Sequence, residues 1–141
     1  MAEAIEVVTA FLRRQGRVLL LHRSGRVGSY RGCWAAVSGH LEGGDPLGQA
    51  LREVEEETGI GRDHLRLVSR GAPFAVVDGA LGRTWRVHPF LFDLDGSLEP
   101  QIDWEHDECR WVEPRDLAKI EIRLDEKVCG EHSTSNGDDR P

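Results

Sequence analysis

The stretch of this chain best equipped for chemistry is Arg52-Glu53-Val54-Glu55-Glu56-Glu57-Thr58-Gly59-Ile60. On a helix, Glu53, Glu56 and Glu57 stand at i, i+3 and i+4, so three carboxylates converge on one face. Such a row has a plain reading as a solvated helix face. It also has a chemical one: without a cation the crowding is costly, and hard oxygen donors with open positions suit Mg²⁺ or Mn²⁺, which complete their shells with water and phosphate oxygens. Leu47, Ala50, Leu51 and Val54 recur at helical spacing on another face. That apolar face can pack on a sheet while the acids point into a cleft.

The helix has clear limits in the sequence. Asp45 is a capping residue, Pro46 suits the first turn, and Gly59 stops the run after Thr58. Upstream, Ile5 to Leu12 and Arg17 to Arg23 are rich in β-branched and apolar residues, and Gln15-Gly16 turns one into the other, which predicts a hairpin. Cys33 to Val37 reads as a short buried strand between glycine-rich segments. Downstream, Leu65 to Ser69, Phe74 to Val77, Thr84 to Leu94 and Glu108 to Val112 read as strands, and Pro114 to Ile120 as a short second helix. Strands, a helix, more strands and a helix predict an α+β fold with a mixed sheet, not repeated βαβ units.

With 141 residues, 39% hydrophobic and 30% charged, the chain has room for one domain with a core of moderate size. Its 18 Lys and Arg against 25 Asp and Glu give a formal charge of −7, which opposes binding of a nucleic-acid duplex through its backbone. A phosphate substrate would therefore need a cation between like charges. The longest apolar run, Val18 to Leu21, falls far short of the roughly 20 residues that cross a bilayer, so no membrane partner is expected. The N-terminus lacks a signal-peptide pattern, and the expected location is cytoplasmic. Cys33, Cys109 and Cys129 are odd in number and widely spaced, and are read as reduced thiols. From Asp125 to Pro141 apolar periodicity vanishes, which predicts a disordered tail.

Gly39-His40-Leu41-Glu42-Gly43-Gly44-Asp45 leads directly into the acidic helix. Together the two segments resemble the Nudix box, G-x5-E-x7-R-E-U-x-E-E-x-G-U, where U is a bulky aliphatic residue. Every defined position of the second half is filled, and the resemblance covers roughly residues 4 to 120. It implies a Nudix-like mixed β-sheet sandwiched between helices, with residues 1–124 as the hydrolase domain. One departure stands out: the pattern has thirteen residues between its glycine and its arginine, and here twelve separate Gly39 from Arg52. The loop glutamate is thereby lost, with Gly44 or Asp45 in its place according to the direction of counting. Weakened or altered catalysis is expected, with Glu42 or Asp45 as partial substitutes.

The resemblance further implies a Mg²⁺-dependent pyrophosphohydrolase, Mn²⁺ being an alternative, that cleaves a diphosphate bond in a nucleoside diphosphate linked to another moiety: an NTP, ADP-ribose or a related small nucleotide. Glu53, Glu56 and Glu57 would hold the metal, with the Gly39 carbonyl, and Arg52 would pair with a helix glutamate and fix its direction. Trp104-Glu105-His106-Asp107-Glu108 resembles the late segment where a loop acid meets the metal site. Glu105 is the first choice for a base or extra ligand, and Glu108 the second. His88 and His106 are read as structural or surface residues, and Trp34, Trp85, Trp104 and Phe74 as core residues with base stacking as the alternative. The other reading of the altered loop is a catalytically weak module that binds or senses a nucleotide. A homodimer and an association with a sugar-phosphate isomerase-like partner are left open; the latter rests on a faint resemblance of His88-Pro89-Phe90 and Trp104-Glu105-His106 to Nudix domains joined to such proteins.

Overall fold

A computed structural model describes residues 4–27, 32–80 and 82–119. Eight strands and one α-helix form in chain order: β1 (Ile5–Arg14), β2 (Arg17–Arg23), β3 (Trp34–Ala35), β4 (Val37–His40), α1 (Pro46–Thr58), β5 (Leu65–Arg70), β6 (Phe74–Asp78), β7 (Arg83–Leu94) and β8 (His106–Val112). The strands join in the order β3-β2-β1-β7-β5, with β4 also on β1, β6 on β7 and β8 on β2. β1 and β7 run parallel from Ile5↔Trp85 to Arg13↔Asp93, and every other pairing is antiparallel. The sheet is mixed, as expected.

The period of two along the central strands sorts their side chains into two functions. Val8, Ala10 and Leu12 of β1 and Phe90, Phe92 and Leu94 of β7 enter the main core with Leu19, Leu21 and Val37. Their neighbours Val7, Thr9, Trp85 and Val87 line a cleft instead. α1 closes the core with Ala50 and Val54, both fully buried, flanked by Leu47 and Leu51. Burying one such aliphatic side chain contributes about 1.5–3 kcal/mol, so this stripe ties the helix down and fixes its rotation about its axis. A smaller cluster of Val18, Leu20 and Val112, with Trp34 against it, lies apart from the main core.

Several sequence expectations need amendment. The strand predicted over Cys33 to Val37 is two: β3 pairs with β2 and β4 with β1, because the chain passes from one partner to the other at Ala36. Glu108 to Val112 is extended back to His106 by pairing with β2. Pro114–Lys119 is a 3-10 helix, which suits so short a segment. Among the described residues, then, α1 is the single α-helix on the sheet. Cys33 is buried and disulfide-bonded, against the expectation of three reduced thiols, while Cys109 is free and Cys129 lies outside the described residues. The tail expected over 125–141 also lies outside them. No helix among the described residues is long and apolar enough to cross a membrane.

Candidate active site

The start and end of α1 are set locally. The Asp45 carboxylate accepts from the amides of Leu47 (3.2 Å) and Gly48 (3.1 Å), Pro46 occupies the first turn, and Gly59 takes a left-handed φ of 75° with its N–H bonded to the Glu55 carbonyl. Asp45 is therefore occupied as a cap. With the Ala50–Val54 stripe held in the core, Glu53, Glu56 and Glu57 reach the cleft, together with Gly39, His40, Glu42, Arg23 and Glu105. The cleft holds about 400 Å³.

Its acidic wall is tightly built. Glu57 is 3% exposed, and Glu53 lines the same cleft one helical turn before it. Burial and the charges of Glu53, Glu105 and Asp103 hold Glu57 well above the usual carboxylate range. Burial also raises Glu53, partly offset by a hydrogen bond from Gln49, and it raises Glu105, with Asp103 adding to the effect. Gly39 is packed so closely on Glu53 that a Cβ there would fall on the carboxylate. Any larger residue at this point of β4 would have to push the Glu53 carboxylate aside, so the glycine serves close approach and not a turn.

Glu105 is delivered by a loop fastened to the end of β2. The Ser24 amide donates to the Glu105 carbonyl (2.9 Å), the Ser24 hydroxyl to the Trp104 carbonyl (2.9 Å), and the Glu105 amide to the Asp103 carboxylate (3.1 Å). Beside it, His106 is buried with Nε2 3.9 Å from Glu57 Oε1. Donor atoms of Glu57, Glu105 and His106 all lie within 4.8 Å of one another, an arrangement that could hold a metal ion. Burial and the cation of Arg23 lower the His106 pKa, which favours the neutral imidazole that ligates metals.

The structure thus brings Gly39, Glu53, Glu56, Glu57 and Glu105 to one cleft and leaves Glu108 outside it, exposed beside Arg110 at 3.4 Å. Arg52 departs from expectation. It donates from Nη1 to the Gln49 Oε1 at 2.9 Å, and the Gln49 Nε2 in turn donates to Glu53 Oε2 at 2.9 Å, so its link to a helix glutamate runs through an amide. Sequence reading missed Gln49, although its position four residues before Glu53 and three before Arg52 is a helical signal that could have found it. His106, read from the sequence as structural or surface, is buried beside Glu57. His88 is bound to Glu6 (2.6 Å), in keeping with a structural role. Of the four aromatics considered, Trp85 lines the cleft, its ring stacked near-parallel (11°) on exposed His40 at 6.1 Å. Trp34 packs on His22 and under Arg110, while Trp104 and Phe74 are exposed.

The fold agrees with the comparisons. A family model, NUDIX domain, matches residues 3–129, and the chain belongs to the Nudix hydrolase family. It is similar to nucleoside triphosphatase NudI of Escherichia coli, 27% identical over 128 residues, which are 84% of this chain and 88% of that protein. It is also similar to nudix hydrolase 1 of Caenorhabditis elegans, 30% identical over 118 residues, 80% of this chain; the chain spans only 30% of that relative's length. The fold matches the crystal structure of a C. elegans Ap4A hydrolase in a binary complex, with a TM-score of 0.72 at 23% identity, covering 83% of this chain and 85% of the other.

Proposed function

We propose that this chain hydrolyses a diphosphate bond in a small nucleotide with the help of Mg²⁺, Mn²⁺ being able to replace it. The observation that carries the reading is the cleft wall in which Glu53, Glu56 and Glu57, the last almost fully buried, stand together with Glu105 and Gly39. Packing several acids where burial penalises their charge is unfavourable unless a cation completes the set. Their donors are hard oxygens, which fits Mg²⁺ or Mn²⁺. Glu53, Glu56 and Glu57 would hold the ion, with the Gly39 carbonyl. A divalent cation there supplies the positive charge that a diphosphate needs beside an acidic protein, and it acidifies a water.

The remaining steps belong to side chains. Glu105, on its fastened loop, accepts the proton of the attacking water at a carboxylate oxygen, and its raised pKa brings it closer to neutral pH, where a base works best. Arg52 and Gln49 keep Glu53 aimed at the cleft. Trp85 lines the cleft between the His40 ring and the Arg83 guanidinium, an aromatic and cationic patch that suits a base or a phosphate. The names of the relatives make nucleoside triphosphates and Ap4A the first substrates to try. A hydrolysis panel of nucleoside triphosphates, ADP-ribose and dinucleoside polyphosphates with Mg²⁺ or Mn²⁺, its products separated by chromatography, tests the proposal. Metal-dependent cleavage at a diphosphate is expected. A folded protein that binds these compounds and cleaves none with either ion would establish the binding-module reading instead.

A further inference from the structure

We infer that Gln49 is a positioning residue for the metal site, joining Arg52, the shortened loop and the metal-facing carboxylate of Glu53 through a single amide. The inference rests on the metal-site reading above. Gln49 is 2% exposed, an unusual place for a polar side chain unless its amide is satisfied. It is satisfied at both ends. Oε1 accepts from Arg52 Nη1 at 2.9 Å and from the backbone amide of Glu42 at 3.3 Å, and Nε2 donates to Glu53 Oε2 at 2.9 Å.

The bonds settle which way the amide faces. Two donors approach one end and a carboxylate the other, so only one orientation satisfies all three. Glu53, backed by Gly39 on one side, has its Oε2 held by Gln49 on another. Arg52 lies on the exposed side of the helix and makes no ion pair among the described residues. Its charge instead polarises the amide that grips Glu53. The Glu42 amide belongs to the same short loop that lost a residue, so Gln49 also closes that loop onto the helix. Asp45 is spent on the helix cap and does not compete for this role.

The test is Mn²⁺ binding to the purified protein, measured by calorimetry and by electron paramagnetic resonance, with thermal melts as the fold control. Gln49→Met conserves volume and removes all three bonds; Mn²⁺ affinity is expected to fall about tenfold or more, as when partners that orient metal ligands are removed. In a Glu53→Gln background the same substitution is expected to change affinity by less than about twofold, since its effect acts through that carboxylate. Arg52→Met, at an exposed position that tolerates change, is expected to weaken binding about threefold and decides the matter if Gln49→Met fails to fold. Unchanged affinity in a folded Gln49→Met, or in Arg52→Met where the former does not fold, overturns the inference, as does an equal loss with and without Glu53. Wild-type protein that fails to bind Mn²⁺ would overturn the metal reading and this inference together, whereas wild-type binding with unchanged variants would overturn this inference alone.

Discussion

Replacing Glu57 by glutamine is expected to stabilise the metal-free protein at neutral pH while weakening its hold on a divalent ion. Glu57 is buried against Glu53, with Glu105 and Asp103 nearby, and its folded pKa stands well above the ordinary value of 4.5. The folded state therefore keeps a proton that the unfolded chain releases. Stability from this source is complete below the unfolded value and is lost as pH rises through the folded one. Between the unfolded and the folded value, one retained proton corresponds to a fall of about 1.4 kcal/mol per pH unit. A glutamine in place of Glu57 has no such proton, so the variant lacks this slope. Glu53 and Glu105 are raised as well, which leaves both proteins a shared residual slope, and the difference between them isolates Glu57. Urea denaturation followed by tryptophan fluorescence, in chelator at pH 5, 6, 7 and 8, measures that difference. Adding Mg²⁺ or Mn²⁺ should then raise the stability of the wild type more than that of the variant. Stability curves that run parallel from pH 5 to 8 would refute the idea that Glu57 is protonated in the folded protein.

Two further substitutions probe the same wall. Gly39→Ala sets a methyl on the Glu53 carboxylate and is expected to cost about 1–3 kcal/mol by overpacking, with weaker Mn²⁺ binding as Glu53 is displaced; melts and metal titrations check both. Glu105→Gln is expected to lower kcat by about 10²–10⁴ and to flatten the acid limb of the rate profile, because the wild type loses activity as pH falls through the raised Glu105 pKa; stopped assays from pH 5 to 9 measure it.

What the sequence disclosed was whatever is decided within a few residues. Asp45, Pro46 and Gly59 fix α1 at Pro46–Thr58 because caps act on the nearest turn, and the spacing of Glu53, Glu56 and Glu57 put them on one face for the same reason. The split of β3 from β4 was hidden, since it depends on which distant strand each half meets. Glu105 could be proposed only through a family pattern; its place in the cleft depends on Ser24, eighty-one positions earlier. The contact of His106 with Glu57 could not be read, because Glu57 comes from another element. Arg52 was aimed at a helix glutamate through the family resemblance, and the buried Gln49 amide beside it stands between the two.

The parallel pairing of β1 with β7 also governs how the molecule comes together. Its register ties Ile5 to Trp85 and Arg13 to Asp93, the latter clasped by an ion pair at 2.7 Å across eighty positions of sequence. Contacts that distant close slowly, because chain entropy is surrendered before any bond compensates for it. Until β7 arrives, one edge of β1 stands bare from Ile5 to Arg13, a row of apolar and β-branched residues open to any strand that passes. Prompt folding of this chain therefore depends on its later half reaching the first strand before another copy does, and crowding at high concentration falls most heavily on that wait.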